Sequence, residues 1–352
     1  MRPVVLVAQA GFMGGAERVL LDWSRALDRP SLLACPPGEL AEAGAAAGLD
    51  VELLPPRSLR RRGRAVRATG DVAALAADVA RLARRRRPAA IVASGQRPIL
   101  AAAASLATPL VALHHDLPPG RVTAALLRAA TARARAVVAT SHAIARAIEP
   151  HERAVVIHPG VDADAWSLPD PPAGPPRALV LGALVPWKRP DLALEIAARV
   201  PELSLDLAGA PLPGDPPDFA AALRDRATHP DLAGRVRFLG TLADPRAALA
   251  EAHCLLHCAD REPYGLALLE ALAGGRPVVA PAAGGPLEIV TPTCGRLYPA
   301  GDADAGAAAL RAALHEPALR DGARARAAAF PRDDAAARFG ELVARVAAGE
   351  RV

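Results

Sequence analysis

Cysteine is scarce in this sequence. The four residues Cys35, Cys254, Cys258 and Cys294 are too few and too scattered for a secreted disulfide scaffold, so a reducing cytoplasm is the expected setting. Long apolar runs are missing as well. The longest, Ile99–Leu113, is too short to span a bilayer and contains Pro109. Near the start, Val4–Ala8 is a strand-like run interrupted by Gln9 and Gly11, which does not read as a secretory leader. Neither sign of charge dominates: 42 Lys and Arg stand against 37 Asp and Glu, a net charge of +5. That excess falls short of a nucleic-acid binder and suits anionic substrates or a membrane surface. The first strand is followed by Gly11-Phe12-Met13-Gly14-Gly15 rather than Gly-x-Gly-x-x-Gly, with no well-placed acidic residue further on, so a dinucleotide site is a weak reading. No Asp-x-Asp positioned after a strand suggests a metal-held diphosphate. The expected protein is soluble or peripheral at a membrane.

What is abundant is aliphatic. Hydrophobic residues make up 52% of the 352 and aromatics only 3%, a length comfortable for two domains that each bury a core. Apolar strands at 3–8, 31–35, 50–54, 89–92, 109–113, 136–140 and 155–158 alternate with helices at 16–27, 38–47, 71–86 and 97–107. Strands at 178–181, 204–209 and 236–240, a helix from Asp191 to about Val200, and Ala/Arg helices across 302–329 continue the pattern. The alternation predicts two doubly wound parallel sheets, an α/β fold. The proline-dense stretch Ser167–Pro176 marks the boundary, extended and semi-rigid. The expected division is 1–166, a linker at 167–177, 178–331, and a last helix within 332–352.

Several residues stand where open sheets place ligands. His114, His115 and Asp116 emerge from the C-terminal end of the 109–113 strand, with a surface-loop role left open for whichever histidine points away. Gly14 and Gly15 form a turn that allows close backbone approach to a ligand, or a tight turn with none. His253-Cys254-Leu255-Leu256-His257-Cys258 hints at a metal, but in a strand the histidines share one face and the cysteines the other, so four ligands do not converge. Two arginine clusters remain. Arg84–Arg87 closes a helix and complements its dipole. Arg57, Arg60, Arg61, Arg62, Arg64 and Arg67 form a loop that is solvated, or touches anionic lipid or an anionic acceptor.

The stretch Cys258–Pro281 carries the chemistry. It reads as strand, turn, helix, turn, strand, with Glu262 in the loop before the helix and Glu270 in its second turn. The free N–H groups of Gly265 and Leu266 lie at the positive helix end, a site for an anion, most naturally a phosphate. Glu270 suits the two hydroxyls of a ribose and Glu262 the hydroxyls of a sugar ring.

Glu262-Pro263-Tyr264-Gly265-Leu266, with Glu270-Ala271-Leu272-Ala273 and Pro277-Val278-Val279-Ala280 behind it, resembles the donor-site signature of the family 4 glycosyltransferases, retaining enzymes of the GT-B fold. Three further runs resemble the same family: Gly14-Gly15-Ala16-Glu17, Gly284-Gly285-Pro286-Leu287-Glu288, and Pro159-Gly160-Val161-Asp162. Gly182–Lys188 resembles the loop whose Arg and Lys neutralise the diphosphate; Lys188 matches, Ala183 stands in place of Arg, and Arg189 is adjacent.

The resemblance implies two Rossmann-like domains facing a cleft, with the last helix packed back on the first domain. It implies Glu262, Lys188 and His115 as catalytic residues. The donor would meet Glu270, Gly265, Leu266, Tyr264, Arg189, Gly284, Gly285 and Gly15, and the acceptor Gly14, His114 and Asp116. The expected activity is transfer of a sugar from a nucleoside diphosphate sugar to a hydroxyl acceptor, without metal or cofactor. A GT-B epimerase or phosphorylase is the alternative, as is a catalytically weak nucleotide-sugar-binding protein, motivated by Ala183.

Overall fold

The structure, a computed structural model, describes residues 1–57, 65–104, 108–148, 153–212 and 217–352. Most strands are short runs of Val, Leu, Ile and Ala, too uniformly apolar to alternate and largely covered on both faces, as parallel sheets require. In chain order the first seven are β1 (Val4–Val7), β2 (Ser31–Cys35), β3 (Asp50–Leu53), β4 (Ala90–Ser94), β5 (Leu110–His114), β6 (Ala136–Ala139) and β7 (Ala154–Val156). Between them run α1 (Gly15–Ser24), α2 (Glu39–Ala46), α3 (Ala65–Arg86), α4 (Gln96–Ala102), α5 (Arg121–Thr131) and α6 (His142–Ile148). The later strands are β8 (Arg177–Leu181), β9 (Ser204–Ala208), β10 (Val236–Gly240), β11 (Cys254–Leu256), β12 (Val278–Pro281) and β13 (Gly295–Tyr298). Their helices are α7 (Pro190–Ala198), α8 (Pro217–Arg226), α9 (Arg246–Glu251), α10 (Leu266–Ala273), α11 (Pro286–Ile289), α12 (Ala303–Leu314) and α13 (Leu319–Ala328), with α14 (Arg332–Ala347) last.

The chain divides into two units. Met1–Pro159 joins Arg332–Val352 in the first, and Gly160–Pro331 is the second. The first holds a seven-stranded sheet in the order β3-β2-β1-β4-β5-β6-β7, and every pairing is parallel. β1, β4, β5 and β6 are wholly buried, whereas the edge strand β3 carries Asp50 and Glu52 and stays partly exposed. Helix α14 belongs to this unit through Phe339, whose ring centroid lies 4.8 Å from that of Trp23 in α1. Gly340 permits the approach, since a Cβ there would lie 2.3 Å from the Ala26 carbonyl oxygen.

The second unit holds a six-stranded parallel sheet in the order β10-β9-β8-β11-β12-β13. It begins earlier than the proline-dense boundary predicted. Val161 donates its N–H to the Phe330 carbonyl at 2.9 Å, and Trp166 and Leu168 pack on the apolar cluster around Leu268, Leu272 and Ile289. The start of the proline-dense stretch is strapped to this unit. The buried Arg276 guanidinium donates to the carbonyls of Pro169 at 2.5 Å, Leu249 at 2.8 Å and Gly274 at 2.9 Å.

The order of strands reverses once in each sheet. The switch falls between β1 and β4 in the first unit and between β8 and β11 in the second. Ligands of open α/β sheets bind outside the C-terminal ends of such strands. The two switch points therefore select the loops after β1 and β4, and those after β8 and β11.

Candidate functional site

In the second unit, the loop after β8 ends in a single helical turn, Pro186–Lys188, and the loop after β11 carries Asp260 and Glu262. Lys188 Nζ and Glu262 Oε2 meet at 2.5 Å across the switch point. The Glu262 carboxylate is only 8% exposed. Burial opposes its ionisation, but the Lys188 ammonium outweighs that and holds its carboxyl well below the usual range. The indole of Trp187 supports the lysine, with Nζ 4.3 Å from the ring centroid. Arg189 takes another direction. Its backbone is left-handed, φ 55°, and its guanidinium reaches Asp191 and Asp260, each at 3.0 Å.

Two glycine pairs hold this arrangement. A Cβ on Gly209 would lie 1.9 Å from the Gly182 carbonyl, so the loops after β8 and β9 touch backbone to backbone. Gly285 donates its N–H to the Glu262 carbonyl at 2.9 Å, and a Cβ there would lie 2.1 Å from the Tyr264 carbonyl oxygen. Gly284 and Gly285 thus fix the Glu262 loop from below. Gly265, φ 111°, starts α10, and its carbonyl accepts from Leu268 N–H, while the N–H groups of Gly265 and Leu266 meet no acceptor among the described residues. Those two donors lie at the positive end of α10, where anions are favoured. Glu270 follows on α10, buried. Tyr264 is buried in the apolar cluster, 4% exposed.

In the first unit, the loop after β1 spends two of its N–H groups internally. Met13 N–H donates to Glu39 at 2.9 Å and Gly14 N–H to Glu17 at 3.2 Å, leaving Gly15 as the open position of the pair. The two histidines after β5 separate cleanly. His114 is 1% exposed, with Nε2 3.2 Å from the Thr131 hydroxyl, and burial pushes its pKa down to about 3. An acceptor cannot reach it, which corrects its expected place beside Gly14 and Asp116. His115 instead faces the loop after β4, close enough that a Cβ on Gly95 would lie 3.0 Å from its Nε2. Its Nδ1 is 3.2 Å from Asp116. Burial works against its charge, yet Asp116 and Glu17 raise its pKa above the ordinary histidine value.

One residue of the lysine–glutamate group escaped the sequence reading. His257, at the end of β11, is buried, and its Nε2 lies 3.3 Å from Glu262 Oε2 without the alignment of a hydrogen bond. In the sequence it reads as a metal ligand with His253. The signal that would have found it is the one that singled out His115, a histidine at the C-terminal end of a strand beside a switch point.

Residues 13–165 match the family described as Glycosyltransferase Family 4, and residues 169–330 match Glycosyl transferases group 1. The chain belongs to glycosyltransferase family 4. A D-inositol 3-phosphate glycosyltransferase of Mycobacterium avium is 35% identical over 190 residues, covering 49% of this chain and 44% of that protein. A phosphatidyl-myo-inositol mannosyltransferase of Mycolicibacterium smegmatis is 36% identical over 137 residues, covering 38% of this chain and 33% of the relative. The chain thus spans less than half the length of these two curated relatives. Among solved structures, Anabaena Alr3699/HepE in complex with UDP-glucose is 25% identical with a TM-score of 0.83, covering 97% of this chain and 99% of that one. Sucrose-phosphate synthase of Thermosynechococcus elongatus, at 18% identity and a TM-score of 0.83 over 99% of this chain and 100% of that one, shares the fold. The two doubly wound parallel sheets of this family 4 protein are those of the GT-B fold.

Proposed function

We propose that this family 4 protein moves a sugar from a nucleoside diphosphate sugar to a hydroxyl acceptor, retaining the anomeric configuration and using no metal. The observation that carries the reading is the second-unit switch point, where Lys188, Glu262 and the open N–H groups of Gly265 and Leu266 come from the loops after β8 and β11. Negative charge gathers on the departing diphosphate as the anomeric bond weakens, and the Lys188 ammonium with two N–H donors stabilises it. Glu270 accepts the ribose hydroxyls and Glu262 orients those of the sugar. The acceptor attacks from the face the diphosphate leaves, so Glu262 positions the sugar and is not assigned as a nucleophile. His115, with Asp116 and Glu17 around it, is the polar group of the first unit for the acceptor hydroxyl. A UDP-sugar is the first donor to test, given HepE, and a polyol the first acceptor, given the inositol phosphate relatives.

Product analysis after incubation with a panel of nucleotide sugars and a polyol tests this. Free nucleoside diphosphate with a glycosylated acceptor supports transfer; an isomerised donor, or an unchanged one, contradicts it. Proton NMR of the new anomeric centre tests retention, and inversion would end that part of the reading. Activity should persist in excess chelator, because lysine and backbone meet the diphosphate. Complete loss restored by manganese or magnesium would contradict metal independence.

Peripheral contact with anionic lipid through the arginine-rich loop belongs to the same proposal. Arg57, at the start of that cluster, is paired with Asp78, which also holds Arg81. Arg60, Arg61, Arg62 and Arg64 lie outside the described residues, as do the side-chain surroundings of Arg67. No helix among the described residues is long and apolar enough to cross a membrane. The protein should bind anionic vesicles at low salt and release them as salt rises, and replacing Arg60, Arg61 and Arg62 by Gln should abolish binding. Absence of vesicle binding at low salt would remove this contact.

A further inference from the structure

Without donor, the Lys188 ammonium is committed to the buried Glu262 carboxylate, 2.5 Å from Oε2. A bound diphosphate draws that ammonium away, and a buried carboxylate left without a cation is strongly disfavoured. One side chain is placed to meet the charge. His257 Nε2 lies 3.3 Å from the same Oε2, is buried, and has no hydrogen-bond partner. Its backbone is pinned on both sides: the N–H donates to the Val279 carbonyl at 2.8 Å, and its carbonyl accepts from the Tyr298 hydroxyl at 2.9 Å. The ring is therefore carried on a fixed strand end, and a small rotation brings Nε2 into line with the carboxylate.

We propose that His257 takes up a proton from solvent when the donor binds, replaces Lys188 as the cation on Glu262, and so frees Lys188 for the diphosphate. The buried carboxylate is then neutralised in both states, by lysine when the site is empty and by imidazolium when it is full. Histidine suits the task because its side chain changes charge near neutral pH. The groups facing it leave it that role. Glu262 and Lys188 are the pair described, Tyr298 is engaged with the His257 carbonyl, and Asp191 and Asp260 are held by Arg189 next to the buried Cys258. His257 is thus a positioning residue, acting on the diphosphate through Lys188 and on the sugar through Glu262. The inference rests on the donor reading above.

UDP-glucose is the probe, because its diphosphate has no proton that titrates near neutrality. Calorimetric titration of the full chain at pH 7.5, in buffers of different ionisation enthalpy, reads the number of protons exchanged per donor bound. Uptake approaching one proton is expected, and it should vanish both in His257→Gln and in Glu262→Gln, the second variant leaving the histidine in place. Binding with the same enthalpy in every buffer would overturn the proposal and leave the donor site standing, as would hold if sugar hydroxyls alone satisfied Glu262. Uptake that persists in either variant would also overturn it. Absence of any binding would overturn the donor reading itself, and the proposal with it.

Discussion

Lys188→Ala should lower turnover by about a hundredfold or more, the range for losing one preorganised charge-stabilising donor. Lys188 is the charge the second-unit switch point offers, since the family's usual arginine position holds Ala183. Arg189 is adjacent, but its left-handed backbone and its two carboxylate partners, Asp191 and Asp260 at 3.0 Å each, have already engaged its charge. Arg189→Ala should therefore cost less than tenfold. A loss comparable to that of Lys188→Ala would mean that the guanidinium leaves those partners to replace the missing arginine. Steady-state turnover of the two variants decides it. If both behave like the parent protein, the diphosphate lies elsewhere. Lys188→Ala also strips the cation from a buried carboxylate, so its thermal stability should fall along with its rate.

The second large effect concerns Glu270. Glu270→Ala should weaken binding of the nucleoside diphosphate by about 1–3 kcal/mol, through loss of two charge-assisted hydrogen bonds to ribose. Glu262→Ala should instead spare nucleotide affinity and reduce turnover, because its partner in the complex is the sugar ring. Calorimetry with the nucleoside diphosphate and with the intact donor separates the two. Unchanged affinity in Glu270→Ala would remove it from the site, and full activity in Glu262→Ala would end its assignment to the sugar.

The individual elements were legible because their physics is local. Val4–Val7 and Ser31–Cys35 are largely apolar runs bounded by turn residues, and they fold where the pattern places them. β13, Gly295–Tyr298, went unseen: a short edge strand with Gly and Arg among its four residues has too little pattern to read. The helix at Arg121–Thr131 was likewise missed, hidden between polar loops in an alanine-rich chain. The order of strands, and with it the two switch points, follows from tertiary pairing that no single segment encodes.

The candidate site divides the same way. Glu262, Gly265 and Glu270 lie within one strand–turn–helix unit, so their spacing alone placed them. The partner of Glu262 did not come from spacing. Lys188 stands 74 residues earlier in the chain, and only the adjacency of β8 and β11 brings the two together. His257 belongs to the same group, yet in sequence it looks like half of a His–Cys pattern. His114 and His115 are neighbours in sequence with opposite fates, since one turns into the core toward Thr131 and the other toward the loop after β4. The proline strap was visible as composition, but its attachment through Arg276 was not, because the guanidinium contacts backbone carbonyls that any sequence would supply.

The position of a bound donor tests the central claim most directly. In a crystal of the full chain with UDP-glucose, Lys188 Nζ should have left Glu262 for an oxygen of the diphosphate. The N–H groups of Gly265 and Leu266 should point at the same group, within about 2.7–3.2 Å, with the ribose on Glu270. Diphosphate density away from the loops after β8 and β11, or a donor bound with Lys188 still on Glu262, would contradict it.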